Sequence, residues 1–127
     1  MKKLLLLTAI VFTMVLFAFN ASAKNQVSKI DAEIVINDDG SADFYQTWHC
    51  NFGEDTEVYY FFPDEGRYEI SEFVVMDEDK IYDSVTDWDT SLSFAEKAGK
   101  CGILRYKDGY ELCWGITEYG NKTYNIY

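Results

Sequence analysis

The stretch IDAEIVINDDGSADFYQTW, residues 30–48, decides the fold. Its first part places isoleucine or alanine at every even position from Ile30 to Ile36, while Asp31 and Glu33 lie at odd positions. Such alternation is the period of a half-buried strand, because successive side chains point to opposite faces. The second part, residues 41–48, has the same character, and the two parts are separated by a turn sequence. The stretch therefore predicts a β-hairpin.

The turn residues Asp38, Asp39 and Gly40 predict the register of this hairpin. A three-residue loop closed by a left-handed glycine pairs residues whose numbers sum to 78, so that Ile36 faces Ala42, Ile34 faces Phe44 and Ile30 faces Trp48. A two-residue loop would set apolar against polar side chains, because a one-residue slip inverts every side chain. We therefore expect the longer loop, with both arms burying the same side and forming the core.

The N-terminus has the pattern of a secretory leader. Lys2 and Lys3 precede an apolar run, residues 4–19, and an A-x-A motif ends at Ala23. The alternative is an uncleaved membrane anchor, for which the run is short, since a spanning helix needs about 20 apolar residues. We predict a signal peptide over residues 1–23, cleaved between Ala23 and Lys24, and export to the outer face of the cell membrane or the exterior of a bacterium.

Composition limits the function of the remaining chain. Removing the leader from the 127 residues leaves 104 residues, one domain of immunoglobulin size at 24–127. The leader holds two of the eleven basic residues and none of the 22 acidic ones, so the mature net charge is −13. Nucleic-acid binding depends on lysine and arginine and is not expected. The charge indicates a solvated surface; cation binding or a basic partner are the alternatives.

Further short strands follow along the chain. We expect them over residues 58–62, ended by Pro63, over 68–76, over 80–85 and over 122–127, where the last strand looks interrupted. One helix is predicted over residues 93–98, because Ser93 and Glu96 have capping-box spacing and Gly99 suits a left-handed cap. These elements predict an all-β fold, a single antiparallel β-sandwich with one short helix; a small barrel is the alternative.

A second hairpin carries two cysteines. With Lys107, Asp108 and Gly109 as a three-residue loop, pairing numbers sum to 216, and Cys101 and Cys113 become diagonal neighbours on one face. Diagonal neighbours lie about 7–8 Å apart, whereas a disulfide needs about 4.4–6.8 Å between Cα atoms. A bulge at the intervening glycine would close this gap. We predict a Cys101–Cys113 disulfide; the alternative is two buried thiols. The remaining thiol, Cys50, is expected to be buried on the face of Trp48.

No catalytic or metal-binding set is apparent. His49 is the only histidine, so serine-type catalysis and a zinc site lack ligands. Asp87 begins a calcium-loop pattern that fails, because Leu92 and Ala98 occupy the positions that need glycine and glutamate. We predict no catalytic residues, no metal and no cofactor. An acid-pair hydrolase remains an alternative, although 22 acidic residues would supply a suitable pair by chance.

The tryptophans admit two interpretations. Trp48, Trp88 and Trp114 are expected to fill the core, as large aromatic side chains do in a small sandwich. Alternatively, Trp88 or Trp114 offers a stacking platform for sugars, which would make the chain a secreted carbohydrate-binding module.

Three stretches together resemble a known family. They are residues 30–48, the segment EISEFVVMDED at 69–79, and EKAGKCGI with GYELCWGITEYGNKTYNI within 96–126. They resemble the N-terminal extracytoplasmic domain of the predicted bacterial membrane proteins called domain of unknown function 2207. The resemblance implies a leader, a β-rich domain outside the cell, and later transmembrane and low-complexity segments. On that basis the chain looks truncated in its C-terminal strand, and membrane attachment would need a segment that this chain lacks or an uncleaved leader.

These observations lead to one functional expectation. The chain is predicted to be an extracytoplasmic, envelope-associated binding or interaction module without catalytic activity. Its partner would be an unknown protein or an envelope glycan.

Overall fold

Two β-sheets form the body of the protein. The computed structural model describes residues 25–64, 66–78 and 80–127. The strands are β1 (Gln26–Ile36), β2 (Ala42–Phe52), β3 (Glu57–Pro63), β4 (Val75–Asp77), β5 (Lys80–Ile81), β6 (Asp83–Val85), β7 (Lys100–Tyr106), β8 (Gly109–Gly115) and β9 (Gly120–Ile126), with one helix, α1 (Phe94–Lys97). Sheet A has the order β1-β2-β9-β4-β5 and sheet B the order β3-β8-β7-β6. The predicted all-β sandwich is confirmed, with one correction: β6 pairs with β7 in parallel.

The register predicted for the first hairpin is confirmed. Ile36 pairs with Ala42, and the same register continues along β1 and β2 to Ile30, opposite Trp48; it shifts only beyond Lys29. Gly40 has the left-handed φ of 87° that the three-residue loop requires. The turn is braced by the Asp39 carboxylate, which accepts hydrogen bonds from the backbone and side chain of Ser41.

Aromatic rings fill the space between the sheets. Trp114 of β8 and Tyr124 of β9 have no exposed surface, and their ring centroids lie 5.7 Å apart. Trp48 of β2 meets both Trp114, at 5.5 Å, and Tyr60 of β3, at 5.6 Å, in edge-to-face arrangements. Each ring of this size removes about 200 Å² from water, so the cluster contributes strongly to the stability of the fold. The expectation that the tryptophans fill the core is thus confirmed for Trp48 and Trp114.

The first hairpin contributes less to this core than its pattern predicts. All eleven residues of β1 are exposed, and residues Ile30, Ile34 and Ile36 are 47%, 54% and 72% accessible. Sheet A extends past sheet B at this side, because β2 already lies over β3, the edge strand of sheet B. The prediction that both arms form the core is therefore wrong for β1, which overhangs the sandwich.

The second hairpin has a different register from the predicted one. Tyr106 pairs with Gly109, so the loop contains only Lys107 and Asp108, and paired numbers sum to 215. Gly109 is a strand residue because it also pairs with Pro63 of β3 on its other side. Pairing with β3, which sequence spacing does not show, thus shortens the loop by one residue.

This shift overturns the predicted disulfide. Cys101 lies opposite Trp114 and faces the core, whereas Cys113 lies opposite Gly102 and faces the outer side of sheet B. Side chains on opposite faces of a sheet cannot bridge, and the cysteines are free thiols. The prediction of a Cys101–Cys113 bond is wrong, and its alternative, two buried thiols, describes the structure. Cys50 is buried in the core cluster with Trp48, as expected.

Two predicted strands are shorter than expected. Within residues 68–76 only Val75 and Met76 belong to a strand, β4. The strand predicted over residues 80–85 is interrupted at Tyr82, where the chain passes from β5 in sheet A to β6 in sheet B. The Tyr82 ring is buried and lies 6.2 Å from Tyr124, so the change of sheet coincides with an aromatic anchor between the two layers.

Residues 86–99, which we call the cover segment, lie on the outer face of sheet B. The segment contains α1, within the predicted helix, and the Ser93 N–H donates to the Glu96 carboxylate at 2.9 Å, as the capping-box spacing predicts. Trp88 and Lys97 are its buried side chains. It approaches the sheet closely because Gly115 has no side chain; a Cβ there would overlap the Lys97 carbonyl.

Candidate functional site

The inner face of β1 is an exposed apolar surface, which we call the overhang face. It consists of the side chains of Ile30, Ile34 and Ile36, and it continues onto β2 at Phe44, which is 37% exposed. Phe44 also packs edge-to-face on Phe62 of β3 at 5.9 Å, which marks where the two sheets meet. Apolar side chains clustered in this way indicate an interaction surface, whereas single exposed apolar residues are ordinary.

Strand β3 borders the overhang face with an unpaired edge. Thr56 accepts a hydrogen bond from Ile116, and Asp64 donates one to Asp108, so the even-numbered residues of β3 bond to β8. Bonded and non-bonded pairs alternate in antiparallel sheets. The backbone N–H and C=O groups of Tyr59 and Phe61 therefore point away from β8, and β3 has no neighbour there among the described strands.

A groove lies at one end of the space between the overhang face and the open edge of β3, beside the first residues of β1. It has a volume of about 190 Å³ and is lined by Gln26 and Val27 of β1, Phe52 of β2, and Val58 and Tyr59 of β3, among others. We call the space between the overhang face and the open edge of β3 the strand slot. The slot thus combines apolar side chains from one sheet with unpaired backbone groups from the other.

The surroundings of the strand slot are acidic. Two exposed acidic pairs flank the slot: Asp38 and Asp39 in the turn after β1, and Glu54 and Asp55 in the turn before β3. Lys29, the one basic residue of β1, lies on the other face of the strand, where it pairs with Asp31 at 2.7 Å, and Asp55 lines the groove. An approaching cationic segment is therefore favoured electrostatically over an anionic one.

A second surface lies on the outer face of sheet A. It is an open groove of about 330 Å³ that Asp31, Glu33, Tyr45, Asn125 and Tyr127 line. The Tyr45 and Tyr127 rings meet edge-to-face at 5.3 Å. We call this surface the tyrosine groove. Carboxylates, an amide and two aromatic rings are suited to hydroxyl-rich ligands, because the rings stack and the polar groups hydrogen-bond.

His49 lies on the same outer face and has a local partner. Its Nδ1 is 3.2 Å from the Thr123 hydroxyl, and its Nε2 is 3.9 Å from Asp31. Across residues 25–64, 66–78 and 80–127 no three metal-binding side chains come together. His49 is a strand residue of β2, paired with Lys29 of β1 and Thr123 of β9, as expected.

Trp88 and Trp114 do not form a sugar platform. Trp114 is fully enclosed in the core, and Trp88 is 6% exposed beneath the cover segment. The Trp88 indole N–H donates to Glu57 at 2.6 Å, so its polar edge is also occupied. The carbohydrate-binding hypothesis in the form that relies on these two rings is wrong. The sequence pattern does not point to Tyr45 and Tyr127, because only the pairing of β2 with β9 brings these two residues together.

A buried polar cluster closes one end of the core. Asp77 accepts hydrogen bonds from Lys122 at 3.0 Å, Thr117 at 3.0 Å and Tyr82 at 3.4 Å. Burial lowers the pKa of Lys122, but its hydrogen bonds to Glu118 and Asp77 outweigh burial and raise that pKa. An ammonium group held between carboxylates in this way is a structural contact and not a general base.

The buried thiols are poor nucleophiles. Burial raises the pKa of Cys50 to about 11 and that of Cys113 to about 12. Burial likewise raises the pKa of Cys101. Since the thiolate is the reactive form, these side chains behave as small apolar residues.

Comparison with known proteins gives no relative. No protein-family model, no curated protein and no solved structure matches this chain. Among the described residues no helix has the length and apolar character that a membrane crossing requires. The predicted cleavage between Ala23 and Lys24 lies outside the described residues. The two surfaces of sheet A and the open edge of β3 are the candidate sites that remain.

Proposed function

We propose that this chain is an exported, non-enzymatic interaction module of the cell envelope that binds a protein partner through the overhang face. The observation that carries the proposal is the exposure of Ile30, Ile34 and Ile36 on one face of an 11-residue strand. Binding a partner there would remove this apolar surface from water, which stabilises a complex at roughly 25 cal/mol per Å² before the cost of association.

The leader and the family resemblance support the location. A positively charged start, an apolar run and an A-x-A motif are what the secretion machinery recognises. N-terminal sequencing of the protein recovered from a bacterial expression host tests this part. We expect the mature chain to begin at Lys24 and to be accessible to protease on intact cells. A chain that retains Met1 and resists the protease would contradict export.

Cross-linking on intact cells tests the interaction. A photoreactive amino acid at position 34 faces the overhang side, whereas the same group at position 35 faces the opposite side of β1. We expect position 34 to give a discrete product with an envelope protein, identified by mass spectrometry, and position 35 to give none. Equal yields of cross-linked product at the two positions, or no product at either, would show that the overhang face is not the binding surface.

A second candidate function is glycan binding at the tyrosine groove. The paired rings of Tyr45 and Tyr127 beside Asp31, Glu33 and Asn125 favour it. Nuclear magnetic resonance titration with peptidoglycan and teichoic-acid fragments tests it, and we expect shifts confined to the groove that the Tyr127→Ala variant abolishes. Absence of shifts at millimolar glycan would eliminate this candidate.

A further inference from the structure

We propose that the strand slot takes an extended segment of a partner protein, apolar at alternate positions and flanked by lysine or arginine, which pairs with β3 and completes sheet B. This inference rests on the proposed interaction function, because it specifies the partner's form at the same surface. Three independent features support it. They are the unpaired backbone edge of β3, the apolar side chains of the overhang face above that edge, and the acidic residues at both ends of the slot.

The backbone edge sets the conformation of the partner. Tyr59 and Phe61 direct their N–H and C=O groups away from β8, as the bonded positions Thr56 and Asp64 require. An incoming strand would lie about 4.8 Å beyond β3 and satisfy these groups. Pro63 has no N–H to offer, so pairing would end there, after the span that begins at Glu57.

The overhang face determines which side chains the partner segment needs, apolar at every second position. Sheet A faces sheet B across the core, and β2 lies over β3, so a strand added outside β3 would lie beneath β1. Its inward side chains would contact Ile30, Ile34 and Ile36, and its outward side chains would remain in water. A strand added to β1 itself would satisfy backbone groups but leave these isoleucines uncovered. Completion of sheet B therefore buries more apolar surface than extension of sheet A.

The acidic residues at the ends of the slot determine the charge of the partner segment. Asp38 and Asp39 lie at one end of the slot, and Glu54 and Asp55 lie at the other, all four exposed. A second copy of this chain would bring the same acidic segments together, which disfavours self-association. A segment with lysine or arginine at both ends is attracted instead. An extended partner segment with such ends therefore fits both the open edge of β3 and the acidic residues beside it.

Fluorescence anisotropy with a defined probe tests this inference. The probe is a fluorescein-labelled peptide, Lys-Thr-Val-Thr-Val-Thr-Val-Lys, and the controls are the same composition with the valines contiguous and the same peptide with glutamate at both ends. We expect saturable binding of the probe to the purified protein, and at least about tenfold weaker binding of either control. No binding of the probe at millimolar protein, or equal binding of all three peptides, would overturn the inference.

Two protein variants on neighbouring residues locate the binding. Ile34→Lys introduces a charge on the overhang face, and Val35→Lys introduces the same charge on the other face of β1, where the side chain is 39% exposed. We expect at least about a tenfold loss of affinity for the first and a change within about twofold for the second. Both positions are exposed, so folding is retained, which circular dichroism verifies. Equal losses would show that charge alone controls binding and would overturn the inference.

The remaining outcomes separate this inference from the function on which it rests. Concentration-dependent dimerisation that Ile34→Lys abolishes, without peptide binding, would assign the slot to a second copy and overturn the inference. A cross-link from position 34 to an envelope protein, without peptide binding, would retain the interaction function and reject strand addition. Peptide binding without any cross-link in cells would retain strand addition and reject the proposed function.

Discussion

Lys97 provides a quantitative test of how the cover segment is attached to sheet B. Its side chain is 3% exposed, and its Nζ donates to the Thr90 carbonyl at 2.6 Å and the Thr56 hydroxyl at 3.0 Å. It also lies 3.3 Å from a Glu57 carboxylate oxygen, while the other oxygen accepts a bond from Trp88. One ammonium group therefore connects α1, the loop before it and the start of β3.

The substitution Lys97→Met removes this group and keeps most of the apolar stem. Breaking a buried ion pair by removing one partner costs about 3–5 kcal/mol. Glu57 is 19% exposed and keeps its bond to Trp88, so we expect the lower end, about 3 kcal/mol of unfolding free energy. For a domain of about 100 residues this lowers Tm by about 12–15 °C.

Urea denaturation followed by tryptophan fluorescence measures this loss. The double variant Lys97→Met with Glu57→Gln no longer leaves an unpaired carboxylate, so we expect it to be less destabilised than the sum of the single variants, by about 1–2 kcal/mol. Lys107→Met, at an exposed turn, serves as the control and should change stability by less than about 0.5 kcal/mol. A Lys97→Met variant as stable as this control, or strictly additive losses, would refute the reasoning.

Three further predictions concern the thiols, a close contact and the buried phenols. The intact mass of the non-reduced protein, after alkylation in denaturant, should show three modified cysteines. A mass with only one modified cysteine would show that two of the cysteines form a disulfide. Gly115→Ala should cost about 2 kcal/mol or more and speed the reaction of Cys113 with thiol reagents, because the new Cβ displaces Lys97; unchanged stability and reactivity would mean that the cover segment yields freely. Burial raises the pKa of Tyr82 and Tyr124, so the folded state holds these phenols neutral; this contribution to stability is complete below about pH 10, the usual tyrosine pKa, and is lost as pH rises above it. An absorbance titration should therefore show late tyrosinate formation that coincides with unfolding, and its absence would contradict their burial.

The local sequence pattern was sufficient to predict the register of the first hairpin and the start of α1. The spacing of Asp38, Asp39 and Gly40 fixed the register of β1 and β2, because turn geometry acts between residues close in sequence. Ser93 and Glu96 likewise predicted the helix start from a three-residue spacing. Interactions of this range are visible in a single sequence.

The errors arose where distant strands decide the outcome. The second hairpin lost one loop residue because Gly109 pairs with Pro63 of β3, and the change moved Cys101 and Cys113 to opposite faces. The exposure of Ile34 likewise depends on which strands lie opposite β1 and not on its own alternation. A strand over an open edge and a strand over a filled core have the same sequence pattern, so the strand slot was not predictable.

Backbone hydrogen exchange at β3 tests the central claim most directly. In the protein alone, the outward amides of Tyr59 and Phe61 should exchange with solvent within seconds to minutes, whereas the amide of Tyr60, which bonds to β8, should be protected. Saturation with the lysine-flanked peptide should protect Tyr59 and Phe61 without altering Tyr60. Protection of the outward amides before peptide is added, or no change at saturation, would contradict an open edge that accepts a strand.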